Sequence, residues 1–190
     1  MQTERDNYLK SNGRVELRHH EHTDFALYEE WYADEEIWNL SSWRPGPMKP
    51  AETRRLFESR DNSNADVSFA ICLRGKSKST RTVIGVIGLM NLNEVTASAD
   101  LSIIIGSPEH RGLGYGPEAM ELMLAHGFEE VGLRKICLSV FDFNGIAIRT
   151  YQKLGFVYDG RIPKAVTRND GPHDAILMMI TADEWRERYS

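Results

Sequence analysis

Long apolar runs, cysteine and excess positive charge are scarce in this 190-residue sequence. No window approaches the roughly 20 uninterrupted apolar residues of a membrane span. The opening Met1-Gln2-Thr3-Glu4-Arg5-Asp6 lacks the charged-then-apolar pattern of a signal peptide, so a cytoplasmic protein is expected. Cysteine occurs twice, at Cys72 and Cys137, each inside an apolar, strand-like run. That spacing suits neither a disulfide framework nor a metal cluster, and buried reduced thiols are the expectation. Lys and Arg number 23 against 28 Asp and Glu, a net charge of −5. Nucleic acid is thereby disfavoured as a partner, because phosphate neutralisation needs clustered cations. A cationic amine would be drawn to such a surface. Internal repeats and low-complexity segments are also missing.

What is present suffices for a full core: 41% of residues are hydrophobic and 9% aromatic. We read residues 1–190 as one domain, with 1–12 as a polar, flexible N-terminal extension. Val15 to Arg18 reads as a strand, and Thr23 or Asp24 caps a helix carrying Phe25, Leu27, Tyr28 and Trp31. From Asn39 to Pro50, three prolines and a glycine predict a pocket-shaping loop, and a helix follows over Ala51 to Ser59. Strands are expected at Asp66–Leu73, Thr82–Asn91 and Ala99–Ile105, with a polar turn over Gly75–Ser79 and a second near Asn93-Glu94. The strongest helical pattern runs from Tyr115 to Val131, with Ala119, Met120, Met123, Leu124, Gly127, Phe128 and Val131 on one face. A strand (Lys135–Phe141), a helix (Asn144–Leu154, stopped by Gly155), strands at Phe156–Arg161 and Ala175–Ile180, and a helix opened by a Thr181-x-x-Glu184 capping box complete the α/β rhythm.

Between the isoleucine-rich strand and the strong helix lies Gly106-Ser107-Pro108-Glu109-His110-Arg111-Gly112-Leu113-Gly114-Tyr115-Gly116-Pro117. A strand leading through glycines into a helix N-terminus makes an anion cradle. Free backbone N–H groups and the positive end of the helix dipole converge, and the missing side chains let a diphosphate approach. Arg111 can add a cation. The Gly-Lys-Ser/Thr ending of a phosphate loop is absent, and the turn follows the fourth strand rather than the first, unlike a dinucleotide fold.

Arg111, Gly114 and Gly116 match the cofactor motif of the GNAT N-acetyltransferase superfamily, and Asn144-Gly145-Ile146-Ala147-Ile148-Arg149-Thr150-Tyr151-Gln152-Lys153-Leu154-Gly155-Phe156 resembles its next motif. The likeness runs from about Val15 to Trp185, nearest to the branch of ribosomal-protein N-terminal and spermidine acetyltransferases. It implies the acyl-CoA N-acyltransferase fold, an α/β (α+β) architecture with a mixed, mostly antiparallel sheet of about seven strands flanked by helices. It also implies acetyl-CoA as cofactor, a homodimer, and direct attack of a primary amine on the thioester. Under that resemblance Ile103, Ile104, Ile105, Arg111, Gly112, Leu113, Gly114, Tyr115, Gly116 and Asn144 bind the cofactor, and Tyr151 protonates the departing sulfur. A phenol with a pKa near 10 is able to deliver that proton at neutral pH.

The amine must lose a proton before attacking, and the sequence offers Asp100 first and Glu94 second as the base. The same resemblance implies an acceptor pocket built from the N-terminal region, at Glu35, Glu36, Trp38, Trp43 and Arg44, where carboxylates and indoles suit a cation. His19-His20-Glu21-His22 lacks a partner cluster and is expected to be a solvated loop, not a metal site. A non-catalytic acyl-CoA-binding or sensor domain would keep the same loop.

Overall fold

The computed structural model describes residues 8–61, 63, 65–75 and 81–189. Eight strands form one sheet: β1 (Tyr8–Asn12), β2 (Val15–Arg18), β3 (Val67–Leu73), β4 (Thr82–Asn93), β5 (Ser98–Ile105), β6 (Lys135–Phe141), β7 (Val157–Arg168) and β8 (Gly171–Thr181), in the order β1-β2-β3-β4-β5-β6-β8-β7. All neighbours are antiparallel except β5 and β6. The sheet thus has one strand more than expected. Tyr8–Asn12, read as part of a flexible extension, pairs with β2, whereas residues 1–7 and most of the Gly75–Ser79 turn lie outside the described residues.

Helices α1 (Phe25–Ala33), α2 (Glu35–Ser41) and α3 (Pro50–Asp61) cover one face, where Phe25, Tyr28, Trp31, Ile37 and Phe57 pack with Val86. On the other face α4 (Tyr115–Ala125) and α6 (Ala182–Tyr189) bury Ala119, Met120, Met123 and Trp185 against Leu17, Ile71, Ile87 and Leu101. The apolar stripe read from Tyr115 onward is this buried side, and the helix continues through one π turn over His126–Glu130. Helix α5 (Gly145–Lys153) borders the same face through Ala147, Ile148 and Tyr151.

Strands β5 and β6 pair only over Ser98↔Lys135, Ala99↔Ile136 and Asp100↔Cys137. Beyond Asp100, β5 stays with β4 and β6 stays with β8, so the two central strands separate. Gly106 N–H donates to the Ile84 carbonyl at 2.8 Å. By alternation, the backbone groups of Ile105 and Ile103 turn away from β4 toward the gap.

Two expectations of extent need correction. The loop predicted from Asn39 begins only after Ser41, because Asp34 Oδ1 accepts from Ile37 N–H at 2.8 Å and starts α2. Likewise β7 and β8 run on past Arg161 and back before Ala175 to close a long hairpin. The irregularity between Ile162 and Val166 that masked it is held by Asp174, whose Oδ1 accepts from Lys164 N–H at 2.7 Å.

Candidate active site

The glycine loop enters α4 with Gly112 at φ 71° and Gly114, its N-cap, at φ 87°. Both lie in the left-handed region that glycine occupies without a steric penalty. A side-chain carbon at Gly112 would meet nothing within 4 Å, so the concave side is open and the loop fits a diphosphate. Arg14, from the β1–β2 turn, braces the loop: it donates to the Leu113 carbonyl at 3.1 Å, pairs with Glu118 and lies over the Tyr115 ring at 4.8 Å.

Arg111 departs from the expected role of added cation. Its guanidinium faces protein groups: Nε donates to Ile105 O at 3.1 Å, Nη2 to Gly106 O at 2.6 Å and Nη1 to Glu36 Oε2 at 2.7 Å. It pins the end of β5 and ties the loop to α2. Gly106 has no room for a side chain, since one would run into the Trp31 indole.

A cleft of about 990 Å³ passes through the gap from this loop to the opposite sheet face. Its walls include Ile103, Ile104, Ile105, Arg111, Gly112, Gly114, Gly116, Asn144 and Tyr151 toward the loop, and Asp100, Ser102, Ser139 and Asp159 toward the far end. Asn144 Oδ1 accepts from Ala147 N–H at 3.2 Å and caps α5, while Nδ2 donates to Leu40 O at 3.4 Å. Tyr151 is held by the end of its own helix. Gly155, at φ 99°, lets Gly155 N–H reach Gln152 O and Phe156 N–H reach Tyr151 O at 3.0 Å, with the Tyr151 and Phe156 rings 6.1 Å apart. The run from Tyr151 to Phe156 is therefore a single capping unit. Burial pushes the Tyr151 phenol up to about 12, so it keeps its proton throughout the neutral range.

Asp100 is exposed to the cleft and accepts from Asn91 Nδ2 at 3.0 Å. Glu94 instead sits exposed in the β4–β5 turn and is not part of the cleft wall. Asp159, unnoticed in the sequence, lines the cleft because the pairing of β7 with β8 shifts between Tyr158 and Gly160 and re-aims it. Cys137 also lines the cleft, but burial raises its pKa and keeps it a thiol, a poor nucleophile.

A smaller pocket of about 210 Å³ adjoins the cleft, sharing Ile37, Ser41, Trp43, Ser102 and Ile104. Trp38 and Arg44 line it, with Tyr32 and Arg60. Glu35 and Glu36 do not: both are exposed, and Glu36 is engaged by Arg111. The side chains of Leu113 and Tyr115 do not line the cleft: Leu113 is exposed and Tyr115 packs against the core. The histidine run is not a solvated loop throughout, since His20 bonds Tyr28 Oη at 2.8 Å and Ser68 Oγ at 2.7 Å.

Residues 14–157 match the acetyltransferase (GNAT) domain model. The chain belongs to the GNAT acetyltransferase family. It is 27% identical over 150 residues to the spermidine N(1)-acetyltransferase of Vibrio cholerae, covering 78% of this chain and 83% of that one. The V. cholerae spermidine N-acetyltransferase in complex with CoA and spermine has the same fold, with a TM-score of 0.83 at 24% identity over 92% of this chain and 99% of that one. A dodecameric structure of that protein gives 0.74 at 26% identity over 94% and 100%. This GNAT protein is an acetyl-CoA-dependent N-acetyltransferase acting on an amine. Among the described residues no helix is long and apolar enough to cross a membrane.

Proposed function

We propose that this GNAT enzyme acetylates a polyamine-like, cationic primary amine, with Tyr151 as general acid and Asp100 as the proton acceptor. The observation carrying the proposal is one continuous cleft with Tyr151 on its donor side and two carboxylates, Asp100 and Asp159, at its far end. Bound acetyl-CoA supplies an activated acetyl thioester. The N–H groups opening α4 and the glycines at 112, 114 and 116 would hold its diphosphate. Ile105 would offer its backbone N–H to the carbonyl oxygen where charge develops. Asp100 takes the ammonium proton, through water or directly, and Tyr151 Oη releases its own proton to the sulfur. With the Cys137 thiol protonated, direct transfer needs no acyl-enzyme. Reduced Cys72 and Cys137 and the similarity to a dodecamer support a cytoplasmic, multimeric enzyme, within which a homodimer is the unit we favour.

The test is thiol release from acetyl-CoA over a panel of polyamines, amino acids and peptide N-termini. Tyr151→Phe is expected to lower kcat by about 10²–10⁴-fold with cofactor affinity near normal. Unchanged turnover would remove Tyr151 from the mechanism. Preference for acidic or neutral acceptors over spermidine would overturn the polyamine reading.

A further inference from the structure

The acceptor pocket is walled by α2 and the segment after it, and α2 is a seven-residue helix whose last carbonyls need partners from outside the helix, Trp38 O accepting from the Ser42 N–H and Leu40 O from Asn144 Nδ2. Arg168, from the far end of β7, is 7% exposed and meets carbonyls at this end. Nε donates to Asn39 O at 3.1 Å, and Nη2 donates to Ser42 O at 2.6 Å and to Trp38 O at 3.4 Å. The guanidinium carbon Cζ lies over the Trp38 ring at 4.5 Å from its centroid and over the Phe141 ring at 5.1 Å. We infer that Arg168 is a positioning residue for the acceptor: it sets the pocket wall formed by Trp38, Ser41, Ser42 and Trp43. The inference rests on the amine-acetylation reading above.

Two physical features assign the residue this task. A buried cation without a carboxylate partner among the described residues is costly unless its donors are used, and burial accordingly draws the Arg168 pKa below its ordinary value. Here the donors face the negative end of a helix dipole, where a cation is favoured. The planar fork spreads over several carbonyls while its faces stack on rings, which a lysine ammonium cannot imitate. The acceptor wall is also tied by Trp43 edge-on to Phe141 at 5.6 Å, Trp38 Nε1 donating to Arg44 O at 2.8 Å, Arg44 donating to Glu52 at 2.9 Å and Asn144 Nδ2 donating to Leu40 O at 3.4 Å, but none of these reaches Asn39 O or Ser42 O as Arg168 does.

The experiment compares wild type with Arg168→Lys and Arg168→Met. Measured are KM and kcat for spermidine at saturating acetyl-CoA, Kd for coenzyme A by calorimetry, and acrylamide quenching of tryptophan fluorescence. Trp31 and Trp185 are buried, so the quenchable signal reports on Trp38 and Trp43. Both variants are expected to raise the spermidine KM by about tenfold or more and to increase quenching, with the coenzyme A Kd held within about twofold. Arg168→Lys, retaining the charge, should fall between wild type and Arg168→Met. Unchanged KM and quenching in folded variants would overturn the inference. So would coenzyme A affinity falling in parallel with acceptor KM, which marks general support of the fold. If Arg168→Met does not fold, Arg168→Lys carries the test alone: an unchanged spermidine KM and unchanged quenching in that folded variant refute the assignment. Should wild type acetylate no amine, the functional reading fails, and the quenching comparison still judges Arg168.

Discussion

Replacing Arg111 by methionine separates two roles of one guanidinium. Its bonds to Gly106 O and Ile105 O are charge-assisted, and each such bond contributes about 1.5–3 kcal/mol. Ile105 lines the cleft, where water partly replaces a lost donor, whereas Gly106 is buried; taking the lower end for both makes the pair worth about 3 kcal/mol. The bond to Glu36 is an ion pair with a partner 63% exposed, for which under about 1 kcal/mol is expected. At about 2–4 °C per kcal/mol for a domain of this size, Arg111→Met should lower Tm by about 6–12 °C, and Glu36→Gln by less than about 4 °C. The assay is ligand-free thermal unfolding followed by circular dichroism, with both variants measured beside wild type. Coenzyme A affinity should also weaken in Arg111→Met, because the end of β5 is released. If Glu36→Gln costs as much as Arg111→Met, the guanidinium serves α2 rather than the strand, and the argument is wrong.

Two further outcomes follow from buried contacts. Burial pushes His20 down to about 4, against about 6.5 in the unfolded chain. The unfolded state therefore binds the proton first, and stability that is complete above pH 6.5 is lost as pH falls toward 4. About 2 kcal/mol should vanish between pH 7.5 and 5 in urea unfolding, and His20→Gln should flatten that dependence; an equally steep acid limb in the variant would exclude His20 as its source. Gly106→Ala drives a methyl into the Trp31 indole, an overpacking that costs about 1–3 kcal/mol. A calorimetric Tm within about 2 °C of wild type would show that the indole gives way freely.

The sequence by itself determined the parts whose interactions are local. The Gly112–Gly116 entry to α4, the Asn144 cap three residues from its donor, and the Tyr151–Phe156 capping unit each close within one or two turns of chain, so residue type and spacing specify them. The strand pattern of β5 was readable for the same reason, since alternation is a property of adjacent residues. The full set of carboxylates on the cleft was only partly readable: Asp100 was placed there from the strand pattern, whereas Asp159 was not. Glu36 and Arg111 are 75 residues apart, and their pairing removes Glu36 from the pocket in which the family resemblance had placed it. Asp159 enters the cleft through a pairing shift that appears only when β7 and β8 are aligned. The end of α2 is met by Arg168, 126 residues beyond the Ser42 carbonyl to which it donates. Only the tertiary structure decided these points, because each pairs groups that the chain separates by scores of residues and that meet only when the sheet divides between β5 and β6.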